Sequence, residues 1–187
     1  MNNPSLAFIV SFIAMVLIAC SYFFKQKRLF LRFQALGIIF LILSYLFTGE
    51  YFAMVGIAVG LGRTLAFYAY EKRDKNAPIF VSFLFSGLTL LAYFTVNFWV
   101  LKTAKPLDTI YLVALIINAF IMRIRNLKIL RLTVLVPTLL CIVYNIVCNA
   151  VVFVIISYSF ELCANIVSIF KYHILGKDEK QVVTKEL

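Results

Sequence analysis

Acidic residues are scarce in this chain: eight Asp and Glu face eighteen Lys and Arg, leaving a net charge of +10. Histidine and tryptophan occur once each, as His173 and Trp99. A single histidine leaves no His-based metal cluster. There is also no glycine-rich phosphate loop and no nucleophile–base pair, so the expectation is no metal, no cofactor and no enzyme. The four cysteines, Cys20, Cys141, Cys148 and Cys163, fall in apolar stretches without C-x-x-C spacing. They read as buried thiols and argue against a disulfide framework. Polar residues as a whole are few. With 64% hydrophobic residues, too little polar surface remains to cover an ordinary soluble domain.

What is present is a series of long apolar runs. A helix crossing the hydrocarbon needs about 20 mostly apolar residues, and seven stretches come close to that length. They are Leu6–Phe24, Leu29–Thr48, Tyr51–Tyr70, Ala77–Leu101, Leu107–Met122, Leu132–Val147 and Ala150–Tyr172. The first lacks a basic leader and a small-residue cleavage site, so it reads as a retained helix. Residues 132–160 carry no charge and, at about 1.5 Å per residue, would overshoot the bilayer as one helix. Asn145 and Asn149 mark the expected turn there, as Thr48-Gly49-Glu50 does between helices two and three. The expected fold class is all-α, a polytopic membrane protein with seven transmembrane helices in one domain spanning 1–187.

The cations sit at the helix ends, which argues for a membrane and against nucleic acid. Connections 1–2, 3–4, 5–6 and the tail hold fifteen of them, whereas only Lys102 and Lys105 lie on the opposite side. Cytoplasmic connections retain Lys and Arg, so the expected orientation is amino end outside and carboxyl end inside. Arg63 is the cation left over within a span.

The two halves also match in order: helix, basic connection, helix, tight turn, helix. A shift of 98 places Lys25 and Lys27 on Arg123 and Arg125, and a shift of 99 places Tyr45 on Tyr144. A shift of 102 places Arg63 on Asn165. This predicts a 3+1+3 parallel repeat: a first unit over 6–70, a linker helix over 77–101, a second unit over 107–172 and a cytoplasmic tail over 173–187.

Short motifs carry a family resemblance over roughly Ile9 to Tyr172. They are Ser21-Tyr22-Phe23-Phe24 before a basic hinge, Gly62-Arg63-Thr64, a second basic hinge, Tyr144-Asn145 and Asn165. In these the chain resembles the YgjV family of bacterial inner-membrane proteins. That family is similar in layout to the SWEET, PQ-loop and PnuC facilitators, two three-helix bundles joined by a linker helix around a central pocket. The resemblance implies a transporter-like fold in the bacterial cytoplasmic membrane. It implies no substrate, because the chain has no Pro-Gln dipeptide and only one tryptophan.

Several residues are candidates for a site. Arg63 lies about twelve residues into helix three, roughly 18 Å from its outer end. A central Arg costs about 2.5–3.5 kcal/mol, so it is expected to face a cavity or a partner. Glu161 lies at a similar depth in helix seven, with Asn165 one turn further on the same face. Arg63 and Glu161 either line or gate a pocket between the halves, or form a buried ion pair. Tyr45 and Tyr144 are candidates for an outer gate or for the aromatic belt, Tyr68, Tyr70 and Tyr172 for the inner belt, and Trp99 with Lys102 for an outer anchor. Gly56-x-x-x-Gly60, followed by Gly62, suits close helix packing within the monomer or a homodimer seam. Pro137 removes a backbone hydrogen bond within helix six and is a candidate hinge. The function expected is a small facilitator or carrier of a polar metabolite. The alternative is a non-transporting membrane scaffold or assembly partner, which predicts an apolar interior with Arg63 turned to the surface.

Overall fold

The structure is a computed structural model describing residues 4–48, 51–95, 108–147 and 152–174. Among these residues all regular structure is helical. The helices are α1 (Pro4–Ser21), α2 (Lys27–Thr48), α3 (Tyr51–Lys72), α4 (Ile79–Phe94), α5 (Asp108–Ile121), α6 (Leu127–Val147) and α7 (Val152–Ile169). One π-helical turn, Phe170–Ile174, continues α7. Gly49, Glu50, Trp99, Lys102, Lys105, Cys148, Asn149 and the tail from 175 lie outside the described residues, as does the side chain of His173.

Three of the helices, over Lys27–Phe47, Leu127–Val147 and Val154–Tyr172, are long and apolar enough to cross a membrane. Shorter apolar helices cover Ser5–Ser21, Ile79–Phe94 and Asp108–Ile121. Large hydrophobic side chains such as Phe8, Phe12, Phe80, Phe83 and Leu91 are more than half or nearly half exposed around the outside. In water such a surface would aggregate, whereas acyl chains solvate it.

Helix starts are set by local chemistry rather than by where charge ends. α6 begins at Leu127, five residues before the expected Leu132, because Asn126 Oδ1 accepts the Lys128 N–H at 2.9 Å and caps the first turn. Lys128 and Arg131 therefore lie inside the helix. α4 begins at Ile79 rather than Ala77, since Pro78 is extended at φ −63°, ψ 150°. Asn145 does not turn the chain: it is buried within α6, donating from Nδ2 to the Cys141 carbonyl at 2.6 Å.

Each helix packs on its neighbours in sequence, and α7 returns to α1, so the seven form a closed ring. α1 on α2 is the most extensive of these contacts. Gly37 explains its closeness: a Cβ there would stand 2.6 Å from Ile18 Cγ1 and 3.1 Å from the Ala14 carbonyl oxygen. Ser44 adds hydrogen bonds to Ser11 and to the Ala7 carbonyl. An apolar cluster including Tyr22, Phe30, Leu31, Phe67, Ile121, Met122 and Leu130 fills the ring at the end that carries the α1–α2 and α5–α6 connections.

Those two connections have the same backbone form one hundred residues apart. Phe23 N and Phe24 N bond to the Cys20 and Ser21 carbonyls, as Arg123 N and Ile124 N do to those of Phe120 and Ile121. The cation-based shift of 98 differs by two residues from this backbone match. In α3 the residues Arg63, Thr64 and Phe67 are buried, and in α7 Ala164, Asn165 and Ser168 are buried with the same spacing 101 residues on. Cations at helix ends snorkel and drift, while packed positions keep register.

At the same end the basic connections meet the α3–α4 turn. Glu71 takes Lys27 at 3.6 Å and Arg125 at 3.9 Å, and Asp74 takes Arg28 at 3.8 Å and Arg125 at 3.7 Å. Arg123 Nε donates to the Ala77 carbonyl at 3.1 Å. Asp74 makes the chain reversal at φ 50°, a left-handed conformation that Asp tolerates better than most residues.

Candidate binding site

The ring encloses a cavity of about 570 Å³ to which every one of the seven helices contributes side chains. A smaller space of about 130 Å³ continues towards the apolar cluster. Arg63, Asn118, Tyr158 and Glu161 line both spaces and so form the floor between them.

The floor groups are held in place but not saturated. Arg63 is only 7% exposed, and among the described residues its one hydrogen bond runs from Nη1 to the Leu115 carbonyl at 3.2 Å. Its Nε has no partner among the described residues. Asn118, about one turn after Leu115, lines the same spaces, and its Oδ1 is likewise unpartnered among the described residues. Glu161 accepts one hydrogen bond, from the Tyr22 hydroxyl to Oε1 at 2.5 Å. Arg63 and Glu161 therefore form no ion pair with each other; each has a separate tether and faces the same space.

Tyrosines make the walls. Tyr45, Tyr93, Tyr111, Tyr144 and Tyr158 all line the larger cavity. The Tyr111 and Tyr144 rings stack at 5.2 Å and 28°, and the Tyr144 hydroxyl donates to Asp108 Oδ1 at 2.8 Å.

A family model for bacterial inner membrane proteins, Imp-YgjV, matches residues 5–175. The chain belongs to that family. No curated protein matches the chain, and no solved structure does.

The motifs that carried the resemblance acquire physical roles here. Ser21 ends α1 by bonding back to the Ile18 carbonyl at 2.6 Å, the local competition by which serine terminates helices. The end of α1 leaves carbonyls without helical partners. Those of Tyr22, Phe23 and Phe24 are taken in turn by Ser168 Oγ, by the Tyr172 hydroxyl at 2.6 Å and by Arg131 Nη2 at 2.7 Å. Arg131 also lies 4.5 Å from the centre of the Tyr172 ring. Tyr22 itself is fully buried, edge-on to Phe30 at 5.4 Å, which aims its hydroxyl at Glu161.

The remaining sequence candidates divide. Tyr45 and Tyr144 line the cavity, and Pro137 lines the smaller space within an unbroken α6. Asn165 does not reach either space: it is 1% exposed and donates from Nδ2 to the Arg131 carbonyl at 2.8 Å, tying α7 to α6. Tyr172 is buried against the α1 hinge rather than standing in an interfacial belt. Among the described residues Gly56 and Gly60 pack closely against no helix; a Cβ at either would meet nothing within 4 Å, and both line the cavity. Gly62 has only the Phe85 ring nearby, at 3.4 Å. The close-packing glycine is Gly37. Sequence reasoning missed Tyr22 as a floor tether, Asn118 and the cavity tyrosines Tyr93, Tyr111 and Tyr158. Asn118 alone carried a readable signal, as a lone amide in the apolar run of α5.

Proposed function

We propose that this inner-membrane protein is a small facilitator or carrier that moves a polar metabolite through the ring of helices. In this reading all seven helices span the bilayer, amino end outside and carboxyl end inside, in line with the bias of cations. The trios α1–α3 and α5–α7 act as two like-oriented units with α4 as the linker between them.

One observation carries the reading: a single cavity of about 570 Å³, fed by all seven helices, with Arg63 and Glu161 at its floor. That volume falls in the range of small-molecule sites, about 300–1,000 Å³. Ionisable groups at membrane depth are costly and belong to pathways or partners. The scaffold alternative expects Arg63 at the surface, whereas Arg63 is buried.

Uptake by liposomes containing the purified protein tests it. A panel of radiolabelled polar metabolites should include at least one that enters faster than into empty vesicles. Gly60→Trp should block that uptake while the protein stays folded, because the added side chain enters open cavity space. If no solute in the panel enters, the carrier reading is wrong.

A further inference from the structure

We infer that the cavity takes a zwitterionic metabolite bearing a planar aromatic group, its carboxylate on Arg63 and its ammonium at Glu161 and Asn118. The inference rests on the carrier reading and names the substrate class for the same site.

The floor presents two opposite charges that do not neutralise each other. Arg63 uses a single N–H on protein, leaving most of its five donors, and Glu161 has one oxygen tethered to Tyr22. Asn118 adds an acceptor, Oδ1, that nothing in the protein satisfies among the described residues. A ligand entering this space displaces water from all three groups. A ligand that cannot replace those hydrogen bonds loses affinity. A simple anion would satisfy Arg63 and leave Glu161 facing a like charge. A simple cation would do the reverse. A neutral sugar would leave both ionised groups without a counter-charge in a low-dielectric site. A carboxylate and an ammonium on one molecule satisfy the whole floor. Arg63 holds a carboxylate well because its fork of N–H groups matches two oxygens.

The walls choose the rest of the molecule. Four tyrosines, Tyr45, Tyr93, Tyr111 and Tyr144, line the space above the floor, and the stacked Tyr111 and Tyr144 rings offer a flat surface. Aromatic rings on such a surface gain about 0.5–1.5 kcal/mol beyond their buried area. Asp108 sits beside these rings at the far end of the cavity, which disfavours a second carboxylate on the ligand.

Four probes test this on the full chain in nanodiscs: tryptophan, tryptamine, indole-3-propionate and serine. Tryptophan should bind at least about tenfold more tightly than the other three, since each lacks one charge-assisted contact or the ring. Arg63→Gln should erase the preference for tryptophan over tryptamine, and Glu161→Gln the preference over indole-3-propionate. Equal binding of tryptamine or indole-3-propionate to the unaltered protein overturns the proposal, as does binding of none of the four. That ranking needs no variant, so misfolding of either variant cannot shelter it. Glucose uptake blocked by Gly60→Trp, with no tryptophan binding, would keep the carrier and remove the zwitterion. Tryptophan binding with no uptake of any solute would remove the carrier and keep the site.

Discussion

The same substitution, glycine to alanine, should have opposite effects at Gly37 and Gly60, both within helices of the ring. Alanine is favoured over glycine in a helix by about 0.8–1.0 kcal/mol, because glycine has more backbone freedom to lose. At Gly60 the new Cβ meets nothing within 4 Å, so only this term operates and the variant should gain up to about 1 kcal/mol. At Gly37 the Cβ would stand 2.6 Å from Ile18 Cγ1 and 3.1 Å from the Ala14 carbonyl oxygen. The second neighbour is backbone and cannot rotate away, so α1 must shift along its whole contact with α2. Overpacking of this kind costs about 1–3 kcal/mol. After the helix-propensity gain, Gly37→Ala should be destabilising by up to about 2 kcal/mol. Equilibrium unfolding of the purified protein in a denaturing detergent reads both values. Gly37→Ala as stable as Gly60→Ala would refute the close approach of α1 to α2. A loss at Gly60 would instead restore Gly56-x-x-x-Gly60 as a packing seam, as the sequence pattern alone suggests.

Tyr22→Phe keeps the ring against Phe30 but removes the donor to Glu161, and should cost about 1.5–3 kcal/mol in the same assay. Glu71→Ala leaves the buried Lys27 ammonium without its carboxylate and should cost about 3 kcal/mol, with little salt dependence. Asp74→Asn keeps a side chain suited to φ 50° and removes only an exposed pair with Arg28 and Arg125. It should change stability by less than about 1 kcal/mol, and by less still at high salt. An equal effect from Glu71→Ala and Asp74→Asn would show that burial of Lys27 does not govern that cluster.

The number and order of helices were legible in the sequence because apolar runs and end-charges are one-dimensional signals. All seven expected spans overlap an observed helix. Arg63 and Glu161 were legible for the same reason, as charges stranded in apolar runs. What was illegible is azimuth, the direction in which each helix turns its side chains. Gly56-x-x-x-Gly60 permits close approach without compelling it, and here that stripe faces the cavity while an isolated Gly37 makes the contact. Asn165 follows Glu161 by one turn, yet it meets α6. In a ring whose members are flanked on two sides and open inward, one turn along a helix is enough to exchange cavity for neighbour. Tyr68, Tyr70 and Tyr172 were read as belt residues because that is the common place of tyrosine in membranes, and no local pattern distinguishes a cavity-facing Tyr111 from a belt residue.

The carrier reading requires the hinge end of the ring to open, and hydrogen bonds from the hinge after α1 cross that end. Four hydrogen bonds cross from the hinge after α1 to α6 and α7 with its π turn: Tyr22 to Glu161, Ser168 to the Tyr22 carbonyl, Tyr172 to the Phe23 carbonyl and Arg131 to the Phe24 carbonyl. The hinge after α5 instead reaches the α3–α4 turn, Arg123 to the Ala77 carbonyl and Arg125 to Glu71 and Asp74. The two hinges share a backbone form but engage different elements. Removing Ser168 Oγ and the Tyr172 hydroxyl together deletes two crossing bonds of about 1 kcal/mol each, which should raise the population of an opened hinge end about thirtyfold. Cys141 is the reporter, being buried and lining the smaller space just behind the floor. With Cys20, Cys148 and Cys163 changed to Ser, a membrane-impermeant maleimide applied from the carboxyl-terminal side should label Cys141 faster in Ser168→Ala/Tyr172→Phe by a comparable factor. Labelling at the unaltered rate, in protein that still unfolds cooperatively, would show that the α1 hinge is not the latch. The rocking of two trios would then have to be sought elsewhere in the ring.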